Sequence, residues 1–319
     1  MNAESRTGYL EVAIATRQLQ IRGSAKLKGN LSVCLELDAE LRTSNAETTH
    51  YRGQSKPRRD NTMDGKQFSL GEYSVDLLVH GYPGKSVCHG SLGFSTIALI
   101  RFGERTALVD VGSFGQRKLI VEELHKRGLK HTDITDVLLS HSHYDHALNW
   151  VMFPNARIVI GGEELDWALG EPWGLTPVPE LYVRELSTSA QLDRVISGDE
   201  VFPGITAYAT PGHTPGSLVY ALDTGECAMI FTGDACKNRA ELLSKNVDMT
   251  FDASVSRASI EHIWSLWTAR PDNILVPGHD LPMVLDGGEP RYLGTREAAI
   301  RAWFGEDLNQ TTVISIGAQ

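Results

Sequence analysis

The chain of 319 residues carries 30 Lys and Arg against 40 Asp and Glu, a formal net charge of −10, with 41% hydrophobic and 22% charged residues. These ordinary globular values exclude wholesale disorder and a fibrous repeat. The negative balance argues against nucleic acid as a partner, because gripping a phosphate backbone calls for a surplus of Lys and Arg.

Residues 1–70 read as an N-terminal extension. Leu31, Val33, Leu35 and Leu37 alternate in strand fashion, and a polar stretch from Thr43 to Lys66 follows, with the basic run Lys56-Pro57-Arg58-Arg59 reading as a solvated loop. An arm that joins two copies in a homodimer, extra edge strands and partial disorder all fit this composition. The first residues, Met1 to Arg6, lack the charged-then-apolar pattern of a secretory leader. Cys34, Cys88, Cys227 and Cys236 form no CxxC pair, so reduced thiols in a cytoplasmic protein are the expectation. Apolar runs such as Thr96 to Ile100 are strand-sized, far below the roughly 20 residues of a membrane span.

Residues 71–290 have the texture of a catalytic domain, with short apolar segments between glycine-rich turns. Strands are predicted at Tyr73 to Val79, Thr96 to Phe102, Thr106 to Val111, Asp136 to Leu139 and Arg157 to Ile160. Further strands are predicted at Ile205 to Thr210, Ser217 to Leu222, Ala228 to Thr232 and Asn273 to Pro277. Helical spacing marks Gln116 to Arg127, Glu163 to Leu169 and Ser254 to Ala269. Residues 291–319 are expected to form a C-terminal helix, from Gly294 to Trp303, and a tail. Strands in hairpin succession mixed with helical crossovers imply an α/β (α+β) fold with two packed sheets and helices outside.

The chemistry concentrates in His141-Ser142-His143-Tyr144-Asp145-His146, directly after the apolar strand Val137-Leu138-Leu139. In extended backbone His141 and His143 point the same way; a turn into helix would aim Asp145 and His146 at a second spot nearby. Imidazole nitrogens and carboxylate oxygens are ligands for zinc and its neighbours. Three later strand ends offer more of them: His213 between two Pro/Gly turns, Asp234 after Phe231-Thr232-Gly233, and His279 after Val276-Pro277-Gly278.

The HxHxDH run, with the later His, Asp and His in that order, resembles the metallo-β-lactamase-fold metallo-hydrolase superfamily over roughly residues 72–285. That resemblance implies a four-layer αββα sandwich. It implies that His141, His143 and His213 hold one metal, that Asp145, His146 and His279 hold a second, and that Asp234 bridges them. Two Zn²⁺ per chain are then expected, with Mn or Fe suited to the same ligands. Asp110, in Val109-Asp110-Val111-Gly112, matches the family's Asp-x-Gly strand end, where an acid orients a ligand imidazole.

The resemblance implies a hydrolase that uses a metal-bridging hydroxide to cleave a small-molecule ester, lactone, thioester or amide, with Asp145 orienting the nucleophile and carrying the proton. Many lactonases of this kind carry a tyrosine shortly after the bridging Asp; here Cys236-Lys237-Asn238-Arg239 stands instead. Lys237 and Asn238 are candidates to bind a polar substrate group, or are an exposed helix start. Trp173 is a candidate substrate contact in the aromatic, Pro/Gly-rich loop Trp167 to Pro177, of a kind that walls pockets. The rival readings on the same scaffold are a mononuclear iron enzyme of the persulfide-dioxygenase kind, a nuclease, and a non-catalytic metal-binding module.

Overall fold

A computed structural model describes residues 65–92 and 94–317; the Leu31 to Leu37 alternation and the Lys56 to Arg59 run lie outside the described residues. Fourteen strands form two seven-stranded sheets, and in each sheet every strand lies beside its neighbour in sequence. The first sheet holds β1 (Gln67–Leu70), β2 (Tyr73–Val79), β3 (Ile97–Phe102), β4 (Arg105–Val109), β5 (Asp136–Leu138), β6 (Arg157–Gly161) and β7 (Leu192–Val195). The second holds β8 (Glu200–Phe202), β9 (Ile205–Ala209), β10 (Leu218–Asp223), β11 (Ala228–Phe231), β12 (Ile274–Val276), β13 (Met283–Asp286) and β14 (Glu289–Tyr292).

β1 through β4 are antiparallel, with tight turns joining β1 to β2 and β3 to β4 and a longer loop joining β2 to β3, whereas β4 to β7 are parallel and are joined by helical crossovers. The second sheet repeats the plan: β8 to β11 are antiparallel, and the β11–β12 pair is parallel. The crossover helices are α1 (Arg117–Lys126), α2 (Tyr144–Ala147), α3 (Gly162–Gly170), α4 (Glu180–Ser187), α5 (Arg239–Ser244) and α6 (Ala253–Thr268).

Three apolar layers follow from the period-two alternation of the strands. Ala98 and Ile100 of β3 face inward and meet Phe202, Ala207, Tyr220 and Phe231 of the other sheet. Ile97 and Leu99 point the opposite way, under Ile120, Leu124, Leu165 and Val183 of α1, α3 and α4. On the far side Val219, Ile230 and Leu275 pack against Ile260, Ile263 and Trp267 of α6. The order is helices, sheet, sheet, helices, the expected αββα sandwich. α6 starts where the Asp252 side chain accepts the N–H groups of Ser254 and Val255, an N-cap. No helix among the described residues is long and apolar enough to cross a membrane.

The expected helix at Gly294 to Trp303 does not form. Ala299–Ala302 is instead a strand, β15, antiparallel to β16 (Thr312–Ser315), with Ile300 opposite Ile314. The local spacing is helical, but the β-branched run Thr311-Thr312-Val313-Ile314 supplies a strand partner ten residues away, and pairing overrides a weak helical preference. At the other end, Gln67–Leu70, assigned by composition to the extension, is the edge strand of the first sheet.

Trp267 is fully buried, and its indole N–H donates to Asn273 O at 3.0 Å. Trp267→Ala should therefore lower unfolding free energy by about 3–5 kcal/mol in a denaturant titration, a cavity cost plus a lost hydrogen bond. A change below about 1 kcal/mol would contradict this packing.

Candidate metal centre

Both sheets end their parallel strands on the same edge, and the motif residues follow those ends. Asp110 follows β4, His141 and His143 follow β5, Asp234 follows β11, and His279 follows β12. His213 comes from the turn between β9 and β10, and α2 carries Asp145 and His146. Loops at the carboxyl ends of parallel strands converge because the crossovers run behind them.

Each predicted ligand residue reaches this one place. His141, His143 and His213 form one group whose donor atoms lie within 4.8 Å of one another; so do Asp145, His146 and His279, and so do His141, His146 and Asp234. His143 Nδ1 and His213 Nε2 face each other at 3.0 Å, and His146 Nε2 and His279 Nε2 at 3.2 Å. Asp234 Oδ1 lies 3.1 Å from His146 Nε2 and 3.2 Å from His279 Nε2, while its Oδ2 lies 3.4 Å from His213 Nε2. One carboxylate thus presents an oxygen to each group.

Hydrogen bonds on the outer side of the rings fix which nitrogen faces inward. His146 Nδ1–H donates to Asp110 Oδ2 at 2.8 Å, and His279 Nδ1–H donates to Phe94 O at 3.0 Å. Ser140 Oγ donates to Asp110 Oδ2, so it accepts from His141 Nδ1–H at 3.0 Å. In all three rings Nε2 is then the nitrogen that faces the cluster. Asp110 is held in the left-handed region at φ 55, a strained conformation for a non-glycine residue. Its second oxygen accepts the N–H of Ser140 at 2.8 Å. At Gly278 a Cβ would meet Asp234 Oδ1 at 2.5 Å, so a side chain there would displace the carboxylate.

These donors fit divalent cations. Ligand atoms on one tetrahedral zinc, at bond lengths of about 2.0–2.1 Å, sit roughly 3.3 Å apart; the pairs here are 3.0–3.5 Å apart. His141 Nε2 and Asp234 Oδ1 are buried without a hydrogen-bond partner. Asp110, Asp145, Glu164 and Asp234 are all buried around the cluster. Lys237 borders the cluster and is paired with Glu241 at 2.9 Å, so it does not offset that charge. Buried carboxylates in excess of cations are stabilised by a bound cation.

Burial, aided by neighbouring imidazoles, holds His141 well below the usual histidine range and pushes His143 down to about 4. Burial also dominates at His213, held well below. Burial would lower His146 too, but Asp234, Asp110 and Asp145 outweigh it and raise that pKa. His279 is raised in the same way by Asp234. For Asp234 the order reverses: burial would raise its pKa, but His279, His146 and His213 outweigh it and hold it well below the carboxylate range.

The cluster lies at the floor of a cleft of about 980 Å³, lined by Tyr82, Tyr144, Trp167, Leu175, Met249 and Phe251 among others. Trp173 is not in that lining. It is half-exposed beneath the Arg184 guanidinium, 4.4 Å from the ring centre, and its neighbours Gly174 to Pro177 form the wall instead. Asn238 borders the cleft, but its side-chain oxygen is committed to capping α5 through Ala240 N–H and Glu241 N–H. Lys237 borders it too, and its carbonyl accepts His279 N–H at 2.8 Å. Cys236 is buried, and its thiol pKa is pushed up by that burial.

The sequence reading missed Glu164, a fully buried acid on α3 that accepts from the loops of both His143 and His213. Only its apolar surroundings, Ile158-Val159-Ile160 before and Leu165 after, hinted at burial.

The pKa directions give a pH dependence for chelator-stripped protein. His143 binds a proton in the unfolded chain below about 6.5 but in the native state only near 4, and burial lowers His141 and His213 in the same direction, so stability falls as pH drops through that window. His146 and His279 are protonated in both states there and add no slope. Unfolding free energy should fall between pH 6.5 and 4, at up to about 1.4 kcal/mol per pH unit for each such histidine. A flat profile in a denaturant titration series would contradict the burial of these rings.

A family model described as the metallo-beta-lactamase superfamily matches residues 90–279. N-acyl homoserine lactonase AiiA of Bacillus thuringiensis subsp. kurstaki is 27% identical over 164 residues, which is 51% of this chain and 62% of that protein. The match therefore spans less than two thirds of that relative. Metallo-beta-lactamase domain-containing protein 1 of Xenopus laevis is 28% identical over 244 residues, 74% of this chain and 89% of that protein. Among solved structures, AidC, described as a dizinc quorum-quenching lactonase, superposes with TM-score 0.58 at 19% identity, covering 72% of this chain and 97% of its own. The hydrolase AbOPH superposes with TM-score 0.56 at 16% identity, over 72% of this chain and 97% of its own. The structural likenesses concern the fold. With the family model matched across more than half of its length, the chain belongs to the metallo-beta-lactamase superfamily.

Proposed function

We propose that this chain is a two-metal hydrolase, with zinc as the expected metal, acting on an acyl bond of a small molecule: an ester, lactone, thioester or amide. The observation that carries this reading is the Asp234 carboxylate, which faces His146 and His279 with one oxygen and His213 with the other. His141, His143 and His213 would hold one cation, Asp145, His146 and His279 the other, with Asp234 between. Two such cations would supply a water of lowered pKa and a Lewis acid for a carbonyl oxygen.

The remaining work falls to the chain. Asp110, through His146 and through Ser140 to His141, fixes the imidazole tautomers. Asp145 Oδ2 lies 3.5 Å from His279 Nε2 and borders the cleft, placed to take a proton from attacking water and return it to the leaving group. Tyr144 also borders the cleft. Trp167, Leu175, Met249 and Phe251 give the cleft an apolar wall that excludes water and suits the hydrocarbon part of an acyl substrate. The lactonase names of relatives make acyl lactones the first substrates to test. A full second group of donors, Asp145, His146 and His279, favours this reading over a mononuclear iron enzyme.

Elemental analysis of purified protein and a hydrolysis panel test this directly. Asp234→Ala should lose bound metal and at least 100-fold in kcat/KM together, on the order of 3 kcal/mol of transition-state stabilisation. Chelation should abolish turnover of the wild type, and zinc should restore it. Full activity of Asp234→Ala with two metals retained would contradict the assignment.

A further inference from the structure

We propose that Glu164 is a positioning residue that sets the His141, His143 and His213 group and not the second group; this rests on the two-metal reading above. Glu164 is the third residue of α3, directly behind the C-terminal end of β6. Its Oε1 accepts Ser142 N–H at 2.8 Å and Ser142 Oγ–H at 2.6 Å. Its Oε2 accepts Thr214 Oγ1–H at 2.6 Å and Gly216 N–H at 3.2 Å. Ser142 lies between His141 and His143, and Thr214 follows His213. One oxygen therefore holds the loop that leaves the first sheet, and the other holds the turn of the second sheet.

The close approach is built into the sequence on the other side as well. A Cβ at Gly216 would meet Glu164 N at 2.0 Å, so only glycine lets the β9–β10 turn lie against α3. Asp145, His146 and His279 share no hydrogen bond with Glu164 among the described residues; His146 is held by Asp110, and His279 by Phe94 O. Asp110 reaches both groups, through His146 and through Ser140 to His141, whereas Glu164 reaches only the loops that carry His141, His143 and His213.

The chemistry of the brace calls for an ionised acid. Two of its four partners are main-chain N–H groups, one on each oxygen, so an amide at 164 would turn its NH₂ toward a donor in either orientation. The strand ends themselves stay tied without Glu164, by Leu218 N–H to Ser140 O at 2.8 Å and Tyr220 O–H to Leu139 O at 2.8 Å. Loss of the brace should therefore loosen ring positions while the sheets remain.

The test measures zinc equivalents by elemental analysis after equilibration against a graded zinc chelator, with circular dichroism to confirm folding. Wild type should hold two equivalents; Glu164→Gln should hold one with wild-type affinity and the other at least about tenfold more weakly. In a double-mutant cycle, Glu164→Gln should add nothing to the zinc loss of His213→Ala but should add to that of His279→Ala. Should Glu164→Gln fail to fold, Thr214→Val, which removes one donor, should weaken one equivalent in the same direction. Two wild-type equivalents with unchanged binding in the folded variant, or additive loss with His213→Ala, would overturn the role of Glu164 alone. A wild type that holds two equivalents yet hydrolyses no acyl substrate would overturn the function and leave the brace standing. Fewer than two equivalents in the wild type would overturn both.

Discussion

Everything at this site depends on burying four carboxylates and five imidazoles at one sheet edge without enough cationic side chains to match them. Taking an ion out of water costs several kcal/mol unless a partner replaces the lost hydration. Asp110 and Glu164 have found theirs in hydroxyls, main-chain N–H groups and one imidazole. Asp234 has only imidazoles beside it: its Oδ1 lies 3.1 Å from His146 Nε2 and 3.2 Å from His279 Nε2, and its Oδ2 lies 3.4 Å from His213 Nε2. A divalent cation in each group, as proposed, would resolve that imbalance, so the electrostatics and the ligand geometry support the same reading.

The sandwich is what makes such a cluster constructible. Each sheet begins as an antiparallel meander and turns parallel where its helices cross over, so strand ends from both sheets reach a common edge. The core of Ala98, Ile100, Phe202, Tyr220 and Phe231 holds the sheets face to face and fixes the distance between those ends. Glycines at 216 and 278 then allow backbone and ligand side chains to approach more closely than any Cβ would permit.

The convergence of these side chains was legible in the sequence because the chemistry is written locally: HSHYDH packs four ligand-type residues into six positions, and each later His or Asp sits beside a Pro/Gly turn at a strand end. Apolar alternation marked most central strands for the same reason. What escaped is non-local. Glu164 looks like any acid in a helix until two distant loops close on it. Asn238 reads in the sequence as a substrate contact or a helix start, and only the fold shows that its oxygen caps α5 at the border of the cleft. The helical spacing after Gly294 yields to a strand because Thr312–Ser315 arrives from further along the chain. Trp173 occupies the right loop, but its ring stacks with Arg184 and leaves the wall to its neighbours.

Diffraction from zinc-equilibrated crystals, recorded on both sides of the zinc absorption edge, addresses the heart of this account. Two anomalous peaks are expected, one amid His141, His143 and His213 and the other amid Asp145, His146 and His279, with an Asp234 oxygen turned to each. Zinc found only elsewhere on the surface, with these seven side chains undisturbed, would contradict it.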